Sequence, residues 1–259
     1  MVEIGGLSDT SNYLQTLASD CLGDVAPIRK LWNLAVAGRP RIEFAEGHTA
    51  WTKRTIGIGF DRRVRQLFAL EPLPDQIPSR PPWARFDILG SPLGFGPDDP
   101  PTPENKNDWR RTSIQGTSRC PIPVPIFDEL DRLTQLAMTN LVRPFAHLPL
   151  ERRRPLAIIE GGGRNGARPL MLPDLILGST LVDIKLSASG SFERRWAVQL
   201  ARYLILDVDD HWGFTAVAIY EGRTGSLVTR AISDLIDGGM ATLQEARVAL
   251  RAFESLFER

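Results

Sequence analysis

"DLILGSTLVDIKL", residues 174–186, is the stretch that decides how the chain is read. Apolar residues fill it on both sides, as in two buried strands, and Gly178, Ser179 and Thr180 supply a turn between them. Yet Asp174, Asp183 and Lys185 sit inside it. Side chains alternate along a strand, so Asp183 and Lys185 share one face while Val182 and Ile184 take the other. Antiparallel pairing of the two strands brings Asp174 to the same face, near one sheet edge. An isolated buried carboxylate is costly, and two close together repel. The pair therefore calls for a cation between them.

A hard divalent ion meets that need. Mg²⁺, or Mn²⁺ in its place, takes about six oxygens and keeps several waters. Asp174, Asp183, the backbone carbonyl of Ile184 and a substrate phosphate would complete its shell. Such an ion lowers the pKa of a water and shields phosphate charge, and Lys185 would orient that water or stabilise the developing charge. Those are the groups phosphodiester hydrolysis requires. Alone, "VDIK" also fits an edge strand with its Asp and Lys in water; its company makes the difference. In the following helix Gln199 and Tyr203 lie four apart and share a face. With Trp196 they form a polar-aromatic stripe that can look toward the Asp183 strand.

Composition narrows the classes further. Apolar residues make up 42% and charged residues 24% of 259, which fits a folded domain and neither a disordered nor a fibrous chain. We found no run of about 18 apolar residues, and the first residues lack a basic start with an apolar region. The expectation is a cytoplasmic protein with no membrane partner. Cys21 and Cys120 are the only cysteines, which excludes a disulfide framework and any four-cysteine zinc or iron-sulfur site made by this chain alone. Lys+Arg and Asp+Glu are equal at 31 each, so nucleic-acid affinity has to rest on local clusters. The candidates are Arg62, Arg63 and Arg65; Arg110 and Arg111; Arg152, Arg153 and Arg154; Arg164 and Arg168; Arg194 and Arg195.

Periodicity gives the surrounding elements. "SNYLQTLASDCL" and "PIRKLWNLAVAG" read as helices, the second opened by Pro27, and "RIEFA" as a possible strand. "GFDRRVRQLFAL" is an amphipathic helix that leaves Arg62, Arg63 and Arg65 on a basic exterior. Residues 72 to 125 hold 13 of the 20 prolines and read as a long insertion with little regular structure. "PIFDELDRLTQLAMTNLV" resumes helical order. Strands follow in "PLAIIE", "RPLMLPDLIL" and "STLVDIKLS", then a helix in "FERRWAVQLARYLILD" with Ser191 as its cap. "FTAVAIYEGRTGSLVTRAI" is a strand, turn, strand unit. A last helix, "TLQEARVALRAFESLFER", is announced by Thr242 and Glu245 as a capping box. We expect one domain over 1–259, with an N-terminal helical part (1–70), the proline-rich insertion (71–125) and an α/β, or α+β, core (126–259).

Together "PDLILG", "LVDIK" and "QLARY" resemble the PD-(D/E)XK nuclease superfamily, within it the RecB-like branch. The resemblance covers about residues 155 to 235. It implies a restriction-endonuclease-like αβββαβ core around a mixed sheet, Mg²⁺ dependence and nucleic acid, most readily DNA, as partner. By that likeness Asp174 and Asp183 are metal ligands, Lys185 is the catalytic lysine, and Gln199 with Tyr203 holds substrate or site geometry. Members of the branch often add an acidic ligand from upstream. Asp61, Glu129 and Glu160 contend here, with Glu160 slightly preferred because its strand should run beside that of Asp174. The four cysteines of iron-sulfur members are absent. An RNase of the same fold, an inactive nucleic-acid-binding or assembly subunit, a homo-oligomer and membership of a defence or repair complex stay open.

Other motifs carry less. "GGGRNG" lacks the Lys and Ser or Thr of a phosphate-binding loop, although its Arg164, with Arg168, could touch a nucleic-acid backbone, as could Arg194 and Arg195. His48, His147 and His211 have no metal-ligand spacing. Ser187, Ser189 and Ser191 flank the helix start as caps.

Overall fold

The computed structural model describes residues 6–44, 50–70, 124–154 and 173–255. Three helices come first: α1 (Gly6–Asp20), α2 (Ala26–Val36) and α3 (Ala50–Phe68). Next come α4 (Val124–Ala137), a π-turn (Met138–Val142) and two short 3-10 turns (Arg143–Phe145 and Leu150–Arg152). The sheet strands are β1 (Arg153–Arg154), β2 (Leu175–Leu177) and β3 (Thr180–Lys185), then, after helix α5 (Arg194–Leu206), β4 (Ala216–Glu221) and β5 (Ser226–Ala231). Two helices close the chain, α6 (Ile232–Leu235) and α7 (Met240–Ser255). The class is mixed α/β.

The strands lie side by side in chain order, antiparallel except at the β3–β4 pair, which is parallel. A parallel neighbour needs a crossover, and α5 supplies it. Alternation then sorts the strand residues between two cores. Ile176, Leu181, Val217 and Ile219 join residues of α1, α2, α5 and α7 on one face, while Leu175, Leu177, Val182, Ala218 and Tyr220 join α3, α4 and the π-turn on the other. The sheet is covered on both sides. That burial explains why its strands read as nearly continuous apolar runs.

The β2–β3 hairpin follows the expectation, with Gly178 at φ 64° in its turn. Gly225, at φ 66° in the β4–β5 turn, is under stronger constraint, because a Cβ there would stand 2.9 Å from Leu136 Cγ and closer still to the Asn140 side chain. Gly225→Ala should cost about 1–3 kcal/mol through left-handed strain alone, more with the overlap. Urea denaturation would read it as a lower midpoint at unchanged slope; an unshifted midpoint would show that the turn adapts.

Several expectations change. "RIEFA" forms no strand over residues 41–44; the Ile42 N–H donates instead to the Arg223 carbonyl at 2.9 Å, so a loop satisfies it. Helix α3 does not turn all three arginines outward: Arg62 is exposed, but Arg63 is buried against Asp131, and Arg65 turns toward Asp61 and Asp174. The helix packs on α4 and meets the sheet edge, so its flanks are partly buried. Ser191 does not cap α5, whose N-cap position is Glu193; the hydroxyls of Ser187 and Ser189 take the N–H groups of Gly190 and Ser191 within the preceding loop. Thr242 and Glu245 form no capping box, because α7 begins earlier, at Met240.

"PLAIIE", "GGGRNG", Cys120 and the proline-rich insertion up to residue 123 lie outside the described residues. Cys21 is a buried free thiol. No helix among the described residues is long and apolar enough to cross a membrane.

Candidate active site

The hairpin register creates the site. Leu175 pairs with Val182, so one step further Asp174 stands opposite Asp183. Both belong to the sheet face that meets α5, by the alternation that places Ile176 and Leu181 there. Asp174 is fixed at both oxygens: Oδ2 accepts from the Ile184 N–H at 2.5 Å, and Oδ1 accepts from the Arg65 guanidinium at 3.0 Å. The Ile184 peptide thus enters through its N–H.

Asp183 is in a different position. It is fully buried, and neither of its oxygens makes an aligned hydrogen bond among the described residues, although Lys185 Nζ approaches Oδ2 to 2.7 Å. Burial, then the charge of Asp174, pushes its pKa up to about 8, against the lowering influence of Lys185. A carboxylate shut away from water and facing a second acid is costly to the fold even with an ammonium beside it.

From Lys185 a chain of polar contacts runs onto α5. Its Nζ donates to Gln199 Oε1 at 2.9 Å, and Gln199 Nε2 donates to the Tyr203 hydroxyl at 2.9 Å. The spacing of four along α5 puts Gln199 and Tyr203 on one stripe, and the crossover lays that stripe over β3. Tyr203 is buried. Its phenol is raised well above its ordinary pKa, first by burial and in part by the charges of Asp174 and Asp183. Strand, hairpin and crossover helix therefore bring Asp174, Asp183, Lys185, Gln199 and Tyr203 into one cluster.

Among the upstream acids, Asp61 reaches this cluster. Arg65 binds both oxygens of Asp61 through Nε, at 2.8 and 2.9 Å, while its other nitrogens reach Asp174 Oδ1 and the Pro173 carbonyl. Burial and the nearby Asp174 charge push Asp61 up to about 6. Glu129 is elsewhere, fully buried in an ion pair with Arg223 at 2.6 Å. Glu160, Arg164 and Arg168 lie outside the described residues. Arg194 and Arg195 are exposed at the start of α5, Arg195 with a 2.5 Å contact to Glu193. Sequence reading gave Arg65 a place on a solvated flank. The signal that could have found it is the i, i+4 spacing of Asp61 and Arg65.

Two acids facing each other, one fully buried with Lys185 beside it, fit a divalent cation. Among the described residues no group of three or more His, Cys, Asp or Glu is arranged to hold a metal. Two carboxylates are enough for Mg²⁺, which is commonly held by one or two with water and phosphate completing its shell. Compared with known protein families, curated proteins and solved structures, the chain finds no match in any of the three.

Proposed function

We propose that this chain is a metal-dependent nuclease of the PD-(D/E)XK type, hydrolysing phosphodiester bonds, most readily in DNA. The observation that supports it best is the buried Asp183 carboxylate, opposite Asp174, without an aligned hydrogen bond among the described residues and with the Lys185 ammonium 2.7 Å away. A Mg²⁺ or Mn²⁺ ion, held by Asp174 and Asp183, would supply Lewis-acid stabilisation of the phosphate and a more acidic water. Asp61, carried by a helix that precedes the sheet, is the described candidate for a further acidic contact.

The chain's own residues divide the remaining work. Lys185 Nζ projects from the same strand face as Asp183 and offers positive charge where negative charge grows on phosphorus oxygens. Gln199 fixes that amine by accepting from it, and Tyr203 fixes Gln199 in turn. Arg65 holds Asp174 in place and balances the acid cluster from the side of α3. A fixed first set of groups supported by a second is what a site needs to act without reorganising.

The direct experiment incubates the protein with plasmid, linear duplex, single-stranded DNA and RNA, each with Mg²⁺, Mn²⁺ or chelator. Cutting should require the metal. Lys185→Ala should fold like the parent and lose activity by about 10²–10³-fold. Equal cutting by variant and parent would refute the assignment of Lys185. Cleavage of RNA alone would move the reading to an RNase, and metal-dependent oligonucleotide binding without cleavage would move it to a binding subunit.

A further inference from the structure

Beside the acid cluster an open groove of about 480 Å³ runs between α1 and α5, lined by Gln15, Lys185, Arg195, Gln199 and Arg202 among others. Three of its lining residues are cationic and none is acidic, in a chain whose formal net charge is zero. Arg195, Gln199 and Arg202 follow at i, i+4 and i+7 along α5, so they form one stripe. Lys185 meets that stripe at Gln199.

Lys185 is paired with Asp183, but the two arginines of the groove are weakly engaged. Arg202 reaches only neutral partners, Gln15 Oε1 at 3.3 Å and Ser11 Oγ at 3.4 Å, and its Nε is buried without a hydrogen-bond partner among the described residues. Arg195 holds Glu193 in an exposed pair, the kind of contact that contributes little and yields readily to a competing anion. Along the helix axis the stripe spans about 10 Å.

We infer that this groove seats the sugar-phosphate backbone of one nucleic-acid strand and leads it to Lys185, with Arg195 and Arg202 as phosphate contacts. The inference rests on the nuclease reading and adds the substrate's path to it. Phosphate contacts position a strand without reading its sequence, so the groove favours no particular base.

The test measures binding of a fluorescein-labelled dT20 by anisotropy across a salt series, with Ca²⁺ in place of Mg²⁺. Against the parent, Arg195→Gln/Arg202→Gln should raise Kd about tenfold or more near 0.1 M salt. The slope of log Kd against log salt should fall by about 1.4, at about 0.7 per lost phosphate contact on a single strand. Arg202→Lys, which keeps the charge, should retain the parent's slope. Unchanged slope and Kd in the double variant would overturn the groove, as would a parent that does not bind dT20. If the double variant fails to fold, Arg195→Gln at its exposed position decides alone: a slope loss of about 0.7 supports the groove and none overturns it. A melting shift of the parent with Mn²⁺ reads the acid site separately, so a protein that binds metal but not dT20 loses the groove and keeps the site.

Discussion

On the proposed nuclease reading, Asp183→Asn should abolish the response to Mn²⁺ and lower cutting by at least about 10²–10³-fold, while making the metal-free protein more resistant to heat at pH 8. The two halves of this expectation share one cause. Asp183 is buried opposite Asp174, and its folded-state pKa stands at about 8 against an ordinary 3.8. A carboxyl raised in this way contributes stability that is fully present below about pH 4 and is lost as pH rises through about 8. In chelator the parent should therefore melt progressively lower across that window. The asparagine variant should show a flatter profile, with Lys185 still held by Gln199. Added Mn²⁺ should restore the parent at high pH and leave the variant where it was. A variant whose melting still rises with Mn²⁺ as the parent's does would place the ion elsewhere.

The largest effect on stability is expected at a different buried ion pair. Glu129 and Arg223 are both fully buried, bonded at 2.6 Å, and the guanidinium also donates to the Ile42 carbonyl and lies 3.3 Å from the centre of the Phe44 ring. Glu129→Ala would leave a buried guanidinium without its carboxylate. Removing one partner of such a pair costs about 3–5 kcal/mol, a large share of the stability of an ordinary domain. Urea titration of the single variant and of Glu129→Leu/Arg223→Met separates the terms. The single variant should fall by that amount, and the apolar pair should recover much of it. A single variant within about 1 kcal/mol of the parent would mean that water enters and solvates the arginine.

How much of this could be read from the chain differs from element to element. The β2–β3 hairpin was legible because turn chemistry at Gly178 and period-two alternation agree, and the antiparallel register follows from them. The helices around Trp32, Leu133, Leu200 and Leu250 were legible for the parallel reason, an apolar stripe at helical spacing. The start of α7 was not, since Thr242 and Glu245 match a capping pattern that local sequence cannot distinguish from a helix interior. Nor was "RIEFA", whose β-branched and aromatic content favours a strand but whose residues 41–44 pair with no strand among the described residues.

The acid pair shows the same division. Asp174 and Asp183 follow from alternation within one hairpin, and Gln199 with Tyr203 from spacing within one helix. Asp61 was one of three upstream contenders, and only tertiary packing of α3 against the sheet edge brings it to Asp174 through Arg65. Periodicity assigns a residue to a face; it does not say what stands across from that face. Gln15 and Arg202 illustrate this, since they meet across α1 and α5 from opposite ends of the chain.

The antiparallel pairing of β2 with β3 also limits what this chain can become. Side chains on a strand change surface with every residue, so one residue gained or lost between Leu177 and Thr180 would carry Asp174 to the side of Tyr220 and strand Asp183 without its counterpart. Substitution can retune the bend at Gly178, but its length is inherited as a unit: a lineage can vary the letters there freely only while it keeps their number.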